Sequence, residues 1–136
     1  MLQIRQNCRR VSSSLARLLK SLPSDIQADR TAAVKELAER FLSVALLKGH
    51  RTVVADGKQV YVNKTGNPGM ATGGSGDVLS GMIGALIGQK LSPFDAACLA
   101  AQLHGKAGDI AARKIGQVSL MATDLLAALP EAFRRA

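Results

Sequence analysis

The chain has no tryptophan, one tyrosine and three phenylalanines in 136 residues. Its core must therefore come from Leu, Val, Ile and Ala, and it has few rings on which nucleic-acid bases could stack. Its two cysteines, Cys8 and Cys98, lie far apart, with no metal-like spacing and no companion histidine cluster. That argues against a disulfide or zinc framework and for a reduced, cytoplasmic setting. No apolar run approaches the roughly 20 residues of a membrane span, so no membrane partner is expected. The common phosphate loops are missing too. No Gly-x-x-x-x-Gly-Lys-Ser/Thr occurs, because Asp77 stands where the lysine would be needed, and no Gly-x-Gly-x-x-Gly follows a strand. Acidic residues are absent from Met1 to Ser24, which carries five basic residues and five serines. That composition is also found in mitochondrial transit peptides.

What is present is enough for one domain, with 47% apolar residues. The net charge is +8, but the basic residues are dispersed rather than gathered in a block. Nucleic acid is not expected as a partner, since charge alone matches that class. Steering of an anionic small molecule accounts for the charge.

The informative stretch is Gly66-Asn67-Pro68-Gly69-Met70-Ala71-Thr72-Gly73-Gly74-Ser75-Gly76-Asp77. Behind it, Val78, Leu79, Met82, Ile83, Leu86 and Ile87 recur at helical spacing, which puts Gly73 to Gly76 at a helix N-terminus. Unpaired N–H groups and the positive end of the helix dipole make such a terminus an anion hole, here Gly73, Gly74, Ser75 and Gly76. Glycines allow the backbone to approach a phosphate closely. Asp77 is then a lone carboxylate beside that hole, suited to act as a general base. The alternative is a glycine-rich turn in which Asp77 only caps the helix.

Elsewhere the organisation is regular. Ser24 and Gln27 read as a capping box opening a helix to about Arg40, with Ile26, Val34, Leu37, Ala38 and Phe41 on one face. Val44 to Leu47 reads as a buried strand ending at Lys48-Gly49. Thr52 to Ala55 and Gln59 to Val62 flank Asp56-Gly57-Lys58 as a hairpin. Gly81, Gly84 and Gly88 in the next helix suggest close packing on a neighbour. Ser92-Pro93 opens a helix to about Lys114, and Thr123-Asp124 caps a last one reaching Pro130 and Phe133. His104 reads as packed or partly exposed rather than catalytic, Asp109 as solvated or paired, and Asn67 as a pin for the loop.

The segments Leu46-Leu47-Lys48-Gly49-His50-Arg51-Thr52, Asn67 to Gly81 and His104-Gly105 resemble the ADP/ATP-dependent NAD(P)H-hydrate dehydratases. These belong to the ribokinase-like superfamily, in a family also called carbohydrate kinases. The resemblance runs from about Ala16 to the C-terminus, so the implied fold is the C-terminal part of a ribokinase-like, three-layer αβα domain, an α/β class. Residues 1–15 then form an atypical segment and 16–136 a partial domain. The family's His-Pro-Gly-Glu turn should fall near Val11 to Leu15, where the sequence is Val-Ser-Ser-Ser-Leu. A cloning or reading-frame artefact, or a truncated gene, accounts for this better than a transit peptide.

The resemblance implies phosphorylation of the hydroxyl of hydrated NADH or NADPH by ADP or ATP with Mg²⁺, then phosphate elimination, an activity expected to be incomplete in this chain alone. Asp77 would be the catalytic carboxylate, and Asp77 and Asn67 would face the substrate. Lys48, Gly49, His50, Arg51, Thr52 and Gly76 would hold the nucleotide, with no metal bound directly by protein side chains. A kinase acting on a small molecule, or an inactive fragment acting as a nucleotide-binding or assembly module, are the alternatives. A partial sheet with an unpaired edge implies a homo-oligomer or partial disorder.

Overall fold

The computed structural model describes residues 23–134, which divide after Val62 into two compact units. The expectations for residues 1–15, for the Val11 to Leu15 position and for the start of the domain near Ala16 lie outside the described residues.

The first unit comprises α1 (Pro23–Ala28), α2 (Arg30–Phe41), β1 (Ala45–Leu47), β2 (Val53–Ala55) and β3 (Val60–Val62). The single helix expected from a Ser24 capping box is instead two helices, with Ser24 inside the first. Asp29 breaks the run. At φ −137° and ψ 85° it leaves helical geometry, and its carboxylate accepts the Ala32 N–H at 2.9 Å. A short acidic side chain competes with the backbone in this way, so Asp29 ends one helix and caps the next.

The strands form an antiparallel meander in the order β1-β2-β3. Leu47 pairs with Val53 and Ala45 with Ala55, while Val53 pairs with Val62. Ala45, Leu47, Val53 and Ala55 pack with Ile26, Ala33, Val34 and Ala38 in one apolar cluster. Phe41, expected on the same helix face, is instead exposed, with the Arg40 guanidinium 5.9 Å from its ring centroid. It is the last residue of α2, followed by Leu42 in left-handed geometry, where the helix ends. The β2–β3 turn follows its local chemistry. Gly57 supplies φ +85°, and the Asp56 carboxylate accepts the N–H groups of Gln59 at 2.7 Å and Lys58 at 3.0 Å. The Gln59 N–H bond is the main reason the Asp56 carboxyl titrates below its usual range.

The second unit contains a 3₁₀ turn (Pro68–Met70), α3 (Ser75–Gly88), α4 (Pro93–Ile115) and α5 (Ala122–Arg134). The expected cap of α4 forms, with Ser92 Oγ accepting the Asp95 N–H at 3.1 Å and Pro93 in the first turn. Helix α4 packs against both α3 and α5. Its buried face is largely alanine, including Ala96, Ala97, Ala100, Ala101, Ala107 and Ala111, which lets backbones come close. Leu103 and Leu125 are among the largest fully buried side chains, so truncating either to Ala would cost about 2–5 kcal/mol. At the start of α5 the expected Thr123-Asp124 pair divides. The Asp124 carboxylate does the capping, accepting the Met121 N–H at 2.8 Å. No helix among the described residues is long and apolar enough to cross a membrane.

The reading of Gly81, Gly84 and Gly88 is corrected. A Cβ built on any of the three meets nothing within 4 Å among the described residues. None has a positive φ. Close packing therefore does not explain them, and they lower the helix propensity of α3 without a steric return. Gly84→Ala is accordingly expected to raise stability by about 0.5–1 kcal/mol, read as a higher denaturant midpoint at unchanged slope. A loss of stability would mean that this helix face is covered.

Candidate functional site

The glycine-rich loop is laid onto α4 before it reaches α3. The buried Asn63 amide donates to the carbonyls of Thr65 and Ala101, each at 3.1 Å. The Thr65 hydroxyl donates to the Gln102 carbonyl at 2.9 Å. About two turns further along α4, the Asp109 carboxylate accepts the Gly66 N–H at 2.9 Å and the Asn67 side-chain N–H at 3.0 Å. The other end of the Asn67 amide accepts the Gly69 N–H at 3.1 Å. Both ends of the Asn67 amide thus hold the loop, the pinning role expected of it.

Gly74 turns the chain into α3. It sits at φ +83°, a conformation glycine adopts without cost, and no side chain caps the helix there. The first helical donors are Asp77 and Val78, both bonded to the Gly74 carbonyl. The N–H groups of Ser75 and Gly76 precede that ladder, as they do at any helix start. The Ser75 hydroxyl faces inward and donates to the Met70 carbonyl at 2.8 Å, so Ser75 offers an anion only its backbone. Asp77 is exposed in the first turn. It stands at one end of an open groove of about 560 Å³ between α3 and α5, whose walls include Val78, Gly81, Met82, Leu126 and Phe133.

His104 is buried, and its Nε2 lies 2.9 Å from the Ser75 carbonyl. A carbonyl only accepts, so Nε2 carries the hydrogen. The histidine is a packed group, as its lack of a catalytic companion implied.

Lys48, Gly49, His50, Arg51 and Thr52 lie in the first unit, where β1 ends and turns toward β2. Gly49 at φ +141° and Arg51 at φ +54° make the turn. The Thr52 hydroxyl donates to the Gly49 carbonyl at 3.3 Å, and the side chains of His50 and Arg51 are exposed. The Arg30 guanidinium closes the turn from α2. It donates to the Leu47 and Lys48 carbonyls at 3.2 Å each and also to the His50 carbonyl. The structure thus brings Asn67, Gly73, Gly74, Ser75, Gly76 and Asp77 together in the second unit and Lys48 to Thr52 together in the first.

Sequence reasoning missed Arg30 and gave no shaping role to Asp109 or His104. The one available signal was the His104-Gly105 pair with Gly108-Asp109, polar residues beside glycines on an otherwise alanine-rich helix. Among the described residues no cluster of three or more His, Cys, Asp or Glu is arranged to hold a metal ion.

Residues 13–131 match the model of the NAD(P)H-hydrate dehydratase family. The chain is 56% identical over 122 residues to a bifunctional NAD(P)H-hydrate repair enzyme of Moorella thermoacetica, covering 88% of itself and 23% of that protein. It is 49% identical over 102 residues to an ADP-dependent (S)-NAD(P)H-hydrate dehydratase of Neisseria meningitidis, covering 74% of itself and 34% of the relative. It is similar to the crystal structure of an ADP/ATP-dependent NAD(P)H-hydrate dehydratase from Bacillus subtilis co-crystallized with ATP/Mg²⁺. The TM-score there is 0.85 at 30% identity, over 91% of this chain and 45% of that one. The chain therefore spans about a quarter to a third of these curated relatives and under half of the solved neighbour. Its fold is part of the ribokinase-like α/β fold of the dehydratases, as the resemblance implied.

The loop–helix contact yields a stability test. A Cβ on Gly105 would run into Thr65, 2.7 Å from its carbonyl carbon and against its hydroxyl, whereas a Cβ on Gly73 meets nothing within 4 Å. Gly105→Ala should destabilise by about 1–3 kcal/mol, the usual cost of overpacking, while Gly73→Ala should stay within about 0.5 kcal/mol of wild type. Equal denaturant midpoints for the two variants would contradict the close approach.

Proposed function

The chain belongs to the NAD(P)H-hydrate dehydratase family, and we propose that it carries the phosphate-handling part of an ADP- or ATP-dependent dehydratase that repairs hydrated NADH and NADPH. The observation that carries this reading is the placement of Asp77, an exposed carboxylate in the first turn of α3, beside the N–H groups of Ser75 and Gly76.

The chemistry follows from that placement. The helix start and the glycine backbone face the oxygens of the phosphoryl group in transfer, where fixed donors stabilise growing negative charge. Asp77 takes the proton of the substrate hydroxyl as its oxygen bonds phosphorus and the bond from phosphorus to the nucleotide breaks. The carbon–oxygen bond then breaks and inorganic phosphate leaves, the neighbouring ring carbon gives up a proton to the departing phosphate or to water, and the nicotinamide double bond returns. Lys48, Gly49, His50, Arg51, Thr52 and Gly76 hold the adenine nucleotide in this reading. Backbone groups do most of the holding in this reading, and the side chains of His50 and Arg51 are exposed. Gly73 and Gly74 complete the anion hole. Asn67 serves the substrate side by fixing the loop, since both ends of its amide are engaged. Mg²⁺ fits as an ion carried on the nucleotide phosphates, given the absence of a carboxylate cluster among the described residues. The cytoplasm and a homo-oligomeric state belong to the same reading.

The decisive assay supplies the 136-residue chain with hydrated NADH, ADP or ATP, and Mg²⁺. Return of NADH absorbance with release of phosphate supports the reading. A stable phosphorylated product would mark a kinase, and nucleotide binding without turnover a binding module. In the active protein, Asp77→Asn should lower the rate at least about a hundredfold, the scale of a general base, with nucleotide affinity little changed. Wild-type turnover in that variant would remove Asp77 from the chemistry.

A separate variant addresses the nucleotide. Gly76→Val adds a branched side chain where a backbone N–H must meet a phosphate, while α3 can continue beneath it. Calorimetry with ATP and Mg²⁺ should show binding lost and the circular dichroism retained. Unchanged affinity would rule Gly76 out of the site.

A further inference from the structure

We infer that one face of α4, formed by His104, Gly105, Gly108 and Asp109, sets the shape of the phosphate-facing loop, with His104 and Asp109 as positioning residues for the chemistry at Asp77. The inference deepens the dehydratase reading and rests on it for the identity of the ligand.

The loop is held at two ends. At its entry, Asp109 receives two donors at once, the backbone N–H of Gly66 and the side chain of Asn67, which in turn receives the N–H of Gly69. A carboxylate oxygen accepting an N–H is a stronger tie than a neutral pair. At its exit, His104 Nε2–H donates to the carbonyl of Ser75, the first residue of α3. Between the two ends the loop lies directly on the helix surface. A Cβ on Gly108 would run into Met70, 2.6 Å from its Cγ and against its sulfur, as one on Gly105 would run into Thr65. The four residues act as one surface, with two polar ties and two gaps that the loop fills.

The direction of the ties matters as much as their strength. A carbonyl pointing at a phosphate repels it. The Ser75 carbonyl is engaged by His104 and the Met70 carbonyl by the Ser75 hydroxyl. Two carbonyls are thus held by side-chain donors, one in the loop and one in the first turn of α3, which fixes the loop against the start of the helix that carries Asp77.

The test uses the full 136-residue chain and four variants, His104→Leu, His104→Gln, Asp109→Ala and Asp109→Asn, with ATP and Mg²⁺ as the probe. Glutamine keeps an N–H donor near the reach of Nε2, and asparagine keeps one acceptor in place of two. His104→Leu and Asp109→Ala should each weaken ATP binding by about tenfold, the scale of one hydrogen bond with a buried or charged partner. They should also speed amide exchange at Gly66, Gly69 and Asp77 by more than at α5. His104→Gln should recover most of both effects and Asp109→Asn part of them. His104→Gln behaving like His104→Leu would reduce the histidine to packing and overturn its assignment. Loop exchange that rises no more than that of α5 would overturn the inference for both residues. If wild type binds no ATP, the nucleotide reading fails, and the exchange and rescue results still decide the positioning roles.

Discussion

The second unit depends on one close approach, that of the Thr65–Met70 backbone to α4. It requires a residue without a side chain at Gly105, where the Thr65 backbone occupies the space a Cβ would take, while Gly108 leaves room for the Met70 side chain. From that approach follow the Asn63 bond to Ala101, the Thr65 bond to Gln102 and the Asp109 bonds to Gly66 and Asn67. The ties are cooperative in the ordinary sense. Each is within reach only because the others keep the loop flat on the helix. The turn at Gly74 and the start of α3 then inherit their position from the loop, and Asp77 from α3.

What was legible in the sequence was local. Ser92-Pro93 announced α4 because the cap and the helix it closes are three residues apart. Asp56-Gly57 announced the hairpin because the carboxylate bonds amides two and three residues on. The helical run after Gly76 announced α3 and with it the exposed position of Asp77. Failures came where two local signals competed or where the partner was distant. Ser24 and Gln27 matched a capping pattern, but Asp29 had the stronger claim, since its side chain bonded Ala32 and the backbone was already leaving the helix. Arg30 meets its carbonyl partners 17 to 20 residues away, His104 meets Ser75 at 29, and Asp109 meets Gly66 at 43. No spacing rule reaches that far. The glycines of α3 show a different failure. A helical glycine signals either close contact or nothing at all, and sequence does not distinguish the two.

The two regions assigned to ligand share a physical solution even though they lie in different units. At the end of β1, Arg30 engages the carbonyls of Leu47, Lys48 and His50. At the start of α3, His104 and Ser75 engage the carbonyls of Ser75 and Met70. In each place side-chain donors take up backbone acceptors and so fix the course of the turn.

This division of labour explains why so few side chains of the candidate site look chemical. A backbone donor cannot be lost by substitution, except to proline, but it can be misaimed. Selection on such a site therefore falls on the residues that aim it: glycines where another backbone must come close, and single polar side chains that reach across the fold. In the proposed reading Asp77 is the exception, since proton transfer needs a group that changes charge and the backbone offers none. A net charge of +8 adds a field that draws anions toward the protein without specifying where they stop. Stopping them is a matter of geometry. In the second unit that geometry traces back to the small residues and two polar anchors of α4.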